Sequence, residues 1–524
     1  MNGLSFELAP PAVAPDPNRV DVACFVGYVG RRATALPASV HAALVEARWI
    51  DGPWARPAVE VEALLQLPVV VESWNAFDAL FAWDRRPVMQ PVGSEQRLCA
   101  SYLGAAVRSF FANGGRRALI VRCGDPWPYL EAAGNRAAQR STRLAALLAN
   151  ASDPMDPASW IGIGHLSGLP EVTLLCLPDL ADICATEPAM VDVAVEPPNS
   201  PEVFVECSSN TVAAVEQEVG LRDLAPPRAN DEGFLAWRNG LGTARERLAR
   251  LHREMLLVAA LPLPMQNARN AEAWAQADFH AYLENAGVLV EPDSSNGGRA
   301  AASAFVQLAW PWLRTSHSAD LPGALEAPEG LLAGLLAINA LARGTFRSVA
   351  GTPLAAVFGS EPVLAWSGIA ATPSDRLARR VCVIAPSPVG WVLHSDVTAS
   401  ADEAWRAGGV SRLMGALLRA VRRTGEAALF EASGAALWQR IERTLGHLLT
   451  AFWREGALGG ASPEEAFSVR CDRSTMSQND LDNGRLRAEV SILPVAAVER
   501  ISVVLDLTGG GAAPALAEAL REVA

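Results

Sequence analysis

The chain has 524 residues, of which 50% are hydrophobic and 19% charged, so it is long enough for about three domains with large buried cores, and its composition excludes a largely disordered protein. Its net charge of −13 argues against nucleic-acid or anionic-membrane partners, which need a basic footprint. All 44 basic residues are arginine, which removes the lysine that a P-loop, a Schiff base or a kinase site requires.

No apolar run reaches the roughly 18 residues that span a bilayer. The N-terminus, Met1-Asn-Gly-Leu-Ser-Phe-Glu7, lacks the basic start and apolar core of a secretory signal, so synthesis in the cytoplasm is expected. None of the eight cysteines forms a C-x-x-C pair, and Cys24, Cys176 and Cys382 sit inside apolar runs. Free buried thiols are the expectation, and neither metal nor cofactor is implied.

In chain order, residues 1–20 are proline-rich and read as an arm. From Val20 the pattern turns to α/β. Strands are expected at 22–26, 69–72, 118–122, 172–177, 255–260 and 304–312. Helices are expected at 73–81, capped by Ser73, at 102–112, ended by Asn113-Gly-Gly115, and at 232–253 and 328–342. Alternating strands and helices imply a mainly parallel, covered sheet. Residues 124–170 and 185–230, rich in Pro, Asn, Asp and Ala, read as surface insertions.

A second domain is expected from 376, opening with a strand at 381–384. An amphipathic helix at 411–423 carries Leu413, Met414, Leu417, Leu418 and Val421 on one side and Arg412, Arg419, Arg422 and Arg423 around much of the rest. Such an arginine stripe is either a solvated face or a docking face for an acidic partner. A helix at 435–455 packs Trp438, Ile441, Leu445, Leu448 and Phe452, and Gly456 ends it. Three period-two strands follow. Phe467, Val469 and Cys471 alternate with polar residues, as do Leu486, Ala488, Val490 and Ile492, then Ile501, Val503, Leu505 and Leu507. Two helices on a one-faced sheet make an α+β domain, and the small sheet has open edges that either the chain or a neighbour must cover.

No G-x-S-x-G elbow, P-loop or zinc motif is present. The string Gly162-Ile-Gly-His-Leu-Ser-Gly168 has the wrong spacing for a dinucleotide fingerprint. In Asn479-Asp-Leu-Asp-Asn-Gly484, Leu481 and Val490 fall where a calcium loop needs ligands, so a turn is expected. Asp179, past the strand ending at Leu177, stands where α/β enzymes place carboxylates, yet no motif supplies a partner.

Taken together, the segments resemble the tail sheath proteins of contractile phage tails and contractile injection systems. Pro463-Glu-Glu-Ala-Phe467, Cys471-Asp472, Thr475-Met476, Asp480-Leu-Asp482, Gly484-Arg-Leu486 and Ile492-Leu-Pro494 follow the order and spacing of the sheath C-terminal domain. Leu429-Phe-Glu431, Leu437-Trp438 and Gly456-Ala-Leu-Gly459 precede them in the same order. Upstream, Ala23-Cys-Phe-Val-Gly27, Ser73-Trp74, Val107-Arg-Ser-Phe-Phe-Ala-Asn-Gly-Gly115, Ala309-Trp-Pro-Trp312 and Glu326-Ala-Pro-Glu-Gly330 are similar to the N-terminal half.

The resemblance implies a structural protein, not an enzyme. Its fold would be an α/β domain (21–375) followed by a C-terminal α+β sheath core (376–508), with an arm at 1–20 and a tail at 509–524. Subunits of the family stack as hexameric rings around an inner tube and contract to drive it through a target envelope, exchanging terminal strands. On that basis Arg412, Arg419, Arg422 and Arg423 are expected to face the tube. Phe467, Val469, Leu486, Val490, Ile492, Ile501, Val503 and Leu505 are expected in an inter-subunit sheet. Expected partners are other copies or sheath paralogues, the inner tube protein, and baseplate and cap proteins, within a phage tail or tail-like injection particle. The stretch Gly390-Trp-Val-Leu-His-Ser-Asp396 departs from the family's usual run, and Val495-Ala-Ala-Val-Glu499 does too. These departures leave open a minor paralogue at the baseplate or cap.

Overall fold

The computed structural model describes residues 19–89, 97–149, 153–187, 220–265, 276–291, 300–364, 376–428, 434–482, 486–495 and 501–506. Outside them lie all but the end of the expected arm, the whole tail at 509–524, Cys207 and most of the stretch 185–230.

Eight strands make the main sheet: β1 (Ala23–Tyr28), β2 (Pro68–Val71), β3 (Ala118–Gly124), β4 (Leu174–Cys176), β5 (Leu256–Ala260), β6 (Val306–Trp310), β7 (Cys382–Ser387) and β8 (Gly390–Leu393). Their order across the sheet is β8-β7-β6-β5-β4-β1-β3-β2. From β7 to β3 all neighbours are parallel, and antiparallel β8 and β2 form the two edges. Every residue of β1, β4, β5 and β6 is buried, which is why they read as unbroken apolar runs rather than alternating ones. The strand expected at 381–384 belongs here and not to the second domain, since Cys382 and Val383 pair with Ala309 and Trp310. An apolar run fixes strand type but carries no address for its partner. The run at 304–312 is likewise split, with Trp312–Thr315 forming a separate two-stranded antiparallel sheet with Val357–Glu361.

Among the helices that accompany the sheet are α1 (Trp74–Leu80), α2 (Tyr102–Ala112), α3 (Asn135–Leu148), α4 (Leu180–Cys184), α5 (Asp231–Leu251) and α6 (Glu329–Ala342). Local chemistry sets their starts. Ser73 Oγ accepts the Ala76 N–H at 3.1 Å and Ser101 Oγ the Gly104 N–H at 3.2 Å, satisfying donors that a first turn leaves open. At the far end of α2, Gly114 takes φ +98°, a left-handed stop. Residues 124–170 are not a surface insertion. Within them α3 buries Leu147 and Leu148 against α4 and α5, and Trp160, Ile163 and Leu166 join the main core. The 162–168 string is a buried 3₁₀ turn rather than a plain loop.

The C-terminal layer is built from α7 (Gly408–Ala428), α8 (Ala435–Arg454) and an antiparallel sheet of β9 (Phe467–Arg470), β10 (Arg487–Ile492) and β11 (Ile501–Asp506). Its core combines Leu413, Met414, Leu417, Leu418 and Val421 of α7 with Leu437, Ile441, Leu445 and Leu449 of α8 and Ala488, Val490 and Ile492 of β10. The buried line of α8 is thus offset from the expected one, and Trp438, Leu448 and Phe452 flank it half-buried. Between β9 and β10, Gln478–Asp482 forms one helical turn in which Asp480 Oδ2 accepts from Ser477 N at 3.0 Å and Ser477 Oγ at 2.6 Å. No group of three or more potential metal ligands occurs among the described residues.

Candidate functional site

In an open parallel sheet, ligands bind where neighbouring strands send their connections opposite ways. Here β1 leads towards β3 while its neighbour β4 leads towards β5, so the switch point lies at the carboxyl ends of β1 and β4. Asp179 sits there, as the sequence predicted. It is 2% exposed, and its Oδ2 accepts the N–H of Tyr28, the last residue of β1, at 2.6 Å. Burial raises its carboxyl to about 7, against the lowering by that N–H.

Around it the crevice is filled from within. Asp182 bridges Arg86 at 2.8 Å and Arg136 at 2.9 Å, with all three side chains buried. Burial acts to raise the Asp182 carboxyl, but the two guanidiniums outweigh it and hold the group below its usual range. Arg86 also lies over the rings of Trp127 and Tyr129, at 5.0 and 5.2 Å. Nothing in the sequence pointed to Arg86 or Arg136, which come from segments that looked like loop and insertion. Asp179 is thus held by a backbone N–H of β1, beside an ion network that Asp182, Arg86 and Arg136 close among themselves.

Two of the four arginines of α7 are corrected. Arg412 and Arg419 are 7% and 4% exposed, so they present neither a solvated face nor a docking face to a partner. Arg412 grips Asp396 in a fork, Nη1 to Oδ1 at 2.9 Å and Nη2 to Oδ2 at 2.7 Å. Its Nε donates to the Thr345 carbonyl at 2.8 Å. Burial alone would raise the Asp396 carboxyl, and the Arg412 charge more than reverses that. Arg419 donates to the carbonyls of Glu171 at 3.0 Å and Val172 at 2.8 Å, just before β4, and burial pushes its guanidinium down to about 10. Arg422 pairs with Glu254, just before β5, and donates to the Leu251 carbonyl at 2.8 Å. Arg423 is half-buried. The helix therefore has two buried faces, apolar towards the C-terminal core and cationic towards the amino ends of the main-sheet strands. Sequence periodicity showed both faces but not that each meets protein.

In the small sheet Leu486, Val490, Ile492 and Ile501 are buried, while Phe467 and Val469 are half-buried. Val503 and Leu505 stand opposite Val490 and Ala488 in the ladder. Ser468, Arg470 and Glu489 face out, so the wet and dry faces follow the alternation. Among the described residues, the outer edges of β9 and β11 pair with no strand. One edge of the main sheet differs. The outer side of β8 is covered by the chain itself, through Leu393 N–H to Thr352 O at 3.1 Å and Leu354 N–H to Trp391 O at 2.8 Å.

No family model matches the chain, and no curated protein sequence does. Solved structures do. A chain in the anti-feeding prophage (AFP) baseplate in contracted state aligns with a TM-score of 0.55 at 17% identity, covering 95% of this chain and 95% of that one. One in the 6-fold symmetrised AFP baseplate gives 0.53 at 18%, over 94% and 95%. One in the AFP helical sheath in contracted state gives 0.50 at 19%, over 95% and 96%. The likeness spans both layers in one alignment, which isolated α/β or α+β domains would not produce. This chain shares the fold of those sheath and baseplate chains.

Proposed function

We propose that the protein is a structural subunit of a contractile sheath, assembling as stacked hexameric rings around an inner tube and contracting to drive the tube through a target envelope. The observation that carries this reading is the full-length likeness to a subunit of a contracted helical sheath. The unpaired outer edges of β9 and β11 support it, because an open edge is a ready template for a neighbour's strand. A switch point filled by Asp179, Asp182, Arg86 and Arg136 leaves catalysis no room there, which supports a non-enzymatic role. Other copies, a tube protein, and baseplate and cap proteins are the proposed partners, within a phage tail or tail-like injection particle. No helix among the described residues is long and apolar enough to cross a membrane.

A second reading, a baseplate-proximal paralogue present in few copies, takes its support from the full-length likeness to two chains in AFP baseplate structures. Negative-stain electron microscopy of the protein with its tube partner tests the class: rings or rods are expected, and a strictly monomeric species at high concentration overturns it. Quantitative mass spectrometry of the native particle separates bulk from minor component by copy number.

A further inference from the structure

We propose that Arg412, Arg419 and Arg422 form a fastening that locks the C-terminal layer to the main sheet, so that load taken up at the small sheet passes through α7 without the layers sliding. The load-passing part rests on the sheath reading; the fastening itself does not.

Three observations converge on it. First, the three side chains leave one side of α7 and reach separate places along the amino ends of the strands: Gln307 of β6 with Asp396, the carbonyls before β4, and Glu254 before β5. Second, the helix lies unusually close to what it grips. A Cβ added at Gly408 would come within 2.3 Å of Asp396 Oδ1, and one at Gly415 within 2.9 Å of the Glu254 carbonyl oxygen. Third, the chemistry is directional. Apolar packing resists separation but is non-directional, so it opposes sliding weakly. Guanidinium forks on carboxylates and carbonyls fix both distance and angle. Arg419 makes the point most sharply, since its hydrogen-bond partners are the carbonyl oxygens of Pro170, Glu171 and Val172. Burying a cation without a directly bonded carboxylate is an expensive way to gain stability, but three carbonyls held by one planar group pin the register of helix against sheet.

The test uses the full-length chain with Arg419→Met, which keeps side-chain length and leaves no carboxylate stranded, and Arg422→Gln as a second variant, which takes the charge from beside Glu254 but keeps an amide donor. Hydrogen exchange followed by mass spectrometry on the unassembled protein is read for the peptides at 170–173, 251–255 and α7. Exchange there is expected to rise about tenfold or more while β9 and β10 keep wild-type protection, as local opening of a seam requires. Wild-type exchange at the seam in both variants overturns the fastening. Co-assembly with the tube partner then reads the load: variant sheaths are expected to assemble and to stop short of the wild-type contracted length on triggering. Full contraction despite a loosened seam overturns the load path alone. Failure of the wild-type protein to form rings overturns the sheath reading, and the exchange result still decides the fastening.

Discussion

At the scale of single residues, burial raises three core carboxyls, Asp179 and Glu326 to about 7 and Glu329 to about 8. Glu329, at the start of α6, is 2% exposed, and its Oε2 accepts the N–H of Ala260 at the end of β5 at 2.9 Å. Burial, reinforced by the nearby Asp179, raises its carboxyl to about 8 against the lowering by that N–H. The folded pKa is raised, so the group favours the fold at low pH, and this contribution is lost as pH climbs from the unfolded value through about 8. Glu329→Gln keeps the acceptor and removes the titration. Relative to wild type it should gain about 1–3 kcal/mol between roughly pH 6 and pH 9, read by urea unfolding at the two pH values. An equal difference at both would mean that Glu329 stays ionised in the fold. Sequence could place Glu329 at a helix start but not bury it, because burial of a helix N-terminus depends on what packs over it. Arg412 and Arg419 of α7 were misread for the same reason: their spacing was plain, and the surface they meet was not.

At the scale of elements, α2 and α6 show how sequence and packing divide the information. Both helices were legible, one from its stop at Asn113-Gly-Gly115, the other from its apolar run after Pro328. Their close crossing was not. A Cβ at Gly330 would fall 2.2 Å from the Ala106 carbonyl oxygen, and one at Gly334 2.6 Å from that of Phe110. Gly446 in α8 has nothing within 4 Å. Gly330→Ala is therefore expected to destabilise by about 1–3 kcal/mol as the backbones are forced apart. Gly446→Ala should instead stabilise by about 0.5–1 kcal/mol through helix propensity alone. Urea denaturation of the pair checks both signs at once, and a stabilising Gly330→Ala would refute the tight crossing. In the small sheet the alternation predicted strands and faces together, because a one-sided sheet writes its burial into a period of two. Helix α3 was missed for the opposite reason: its long polar face and few buried residues, Arg136, Leu147 and Leu148, resemble an insertion until α4 and α5 are seen beside it.

At the scale of the molecule, a net charge of −13 makes like subunits repel. If the chain stacks as proposed, ring formation should be hindered at about 0.01 M salt, where screening reaches only beyond roughly 30 Å, and eased at about 0.15 M, where it acts within about 8 Å. Light scattering across that range should show the critical concentration falling with salt; a steep rise would mean the contacts are charge-paired. Composition also fixed the absence of lysine chemistry and the free thiols, and all seven described cysteines are free and buried. Element types, a mainly parallel sheet and a one-faced C-terminal sheet were in the sequence, since period and apolar run length follow from how a single segment meets its surroundings. Only the tertiary structure decided that 381–384 joins the main sheet, that 124–170 belongs to the core, that the switch point is filled, and that the arginine face of α7 grips this chain. Each of these depends on residues far apart in sequence meeting in space, and local pattern records that a face is special without recording what lies across from it.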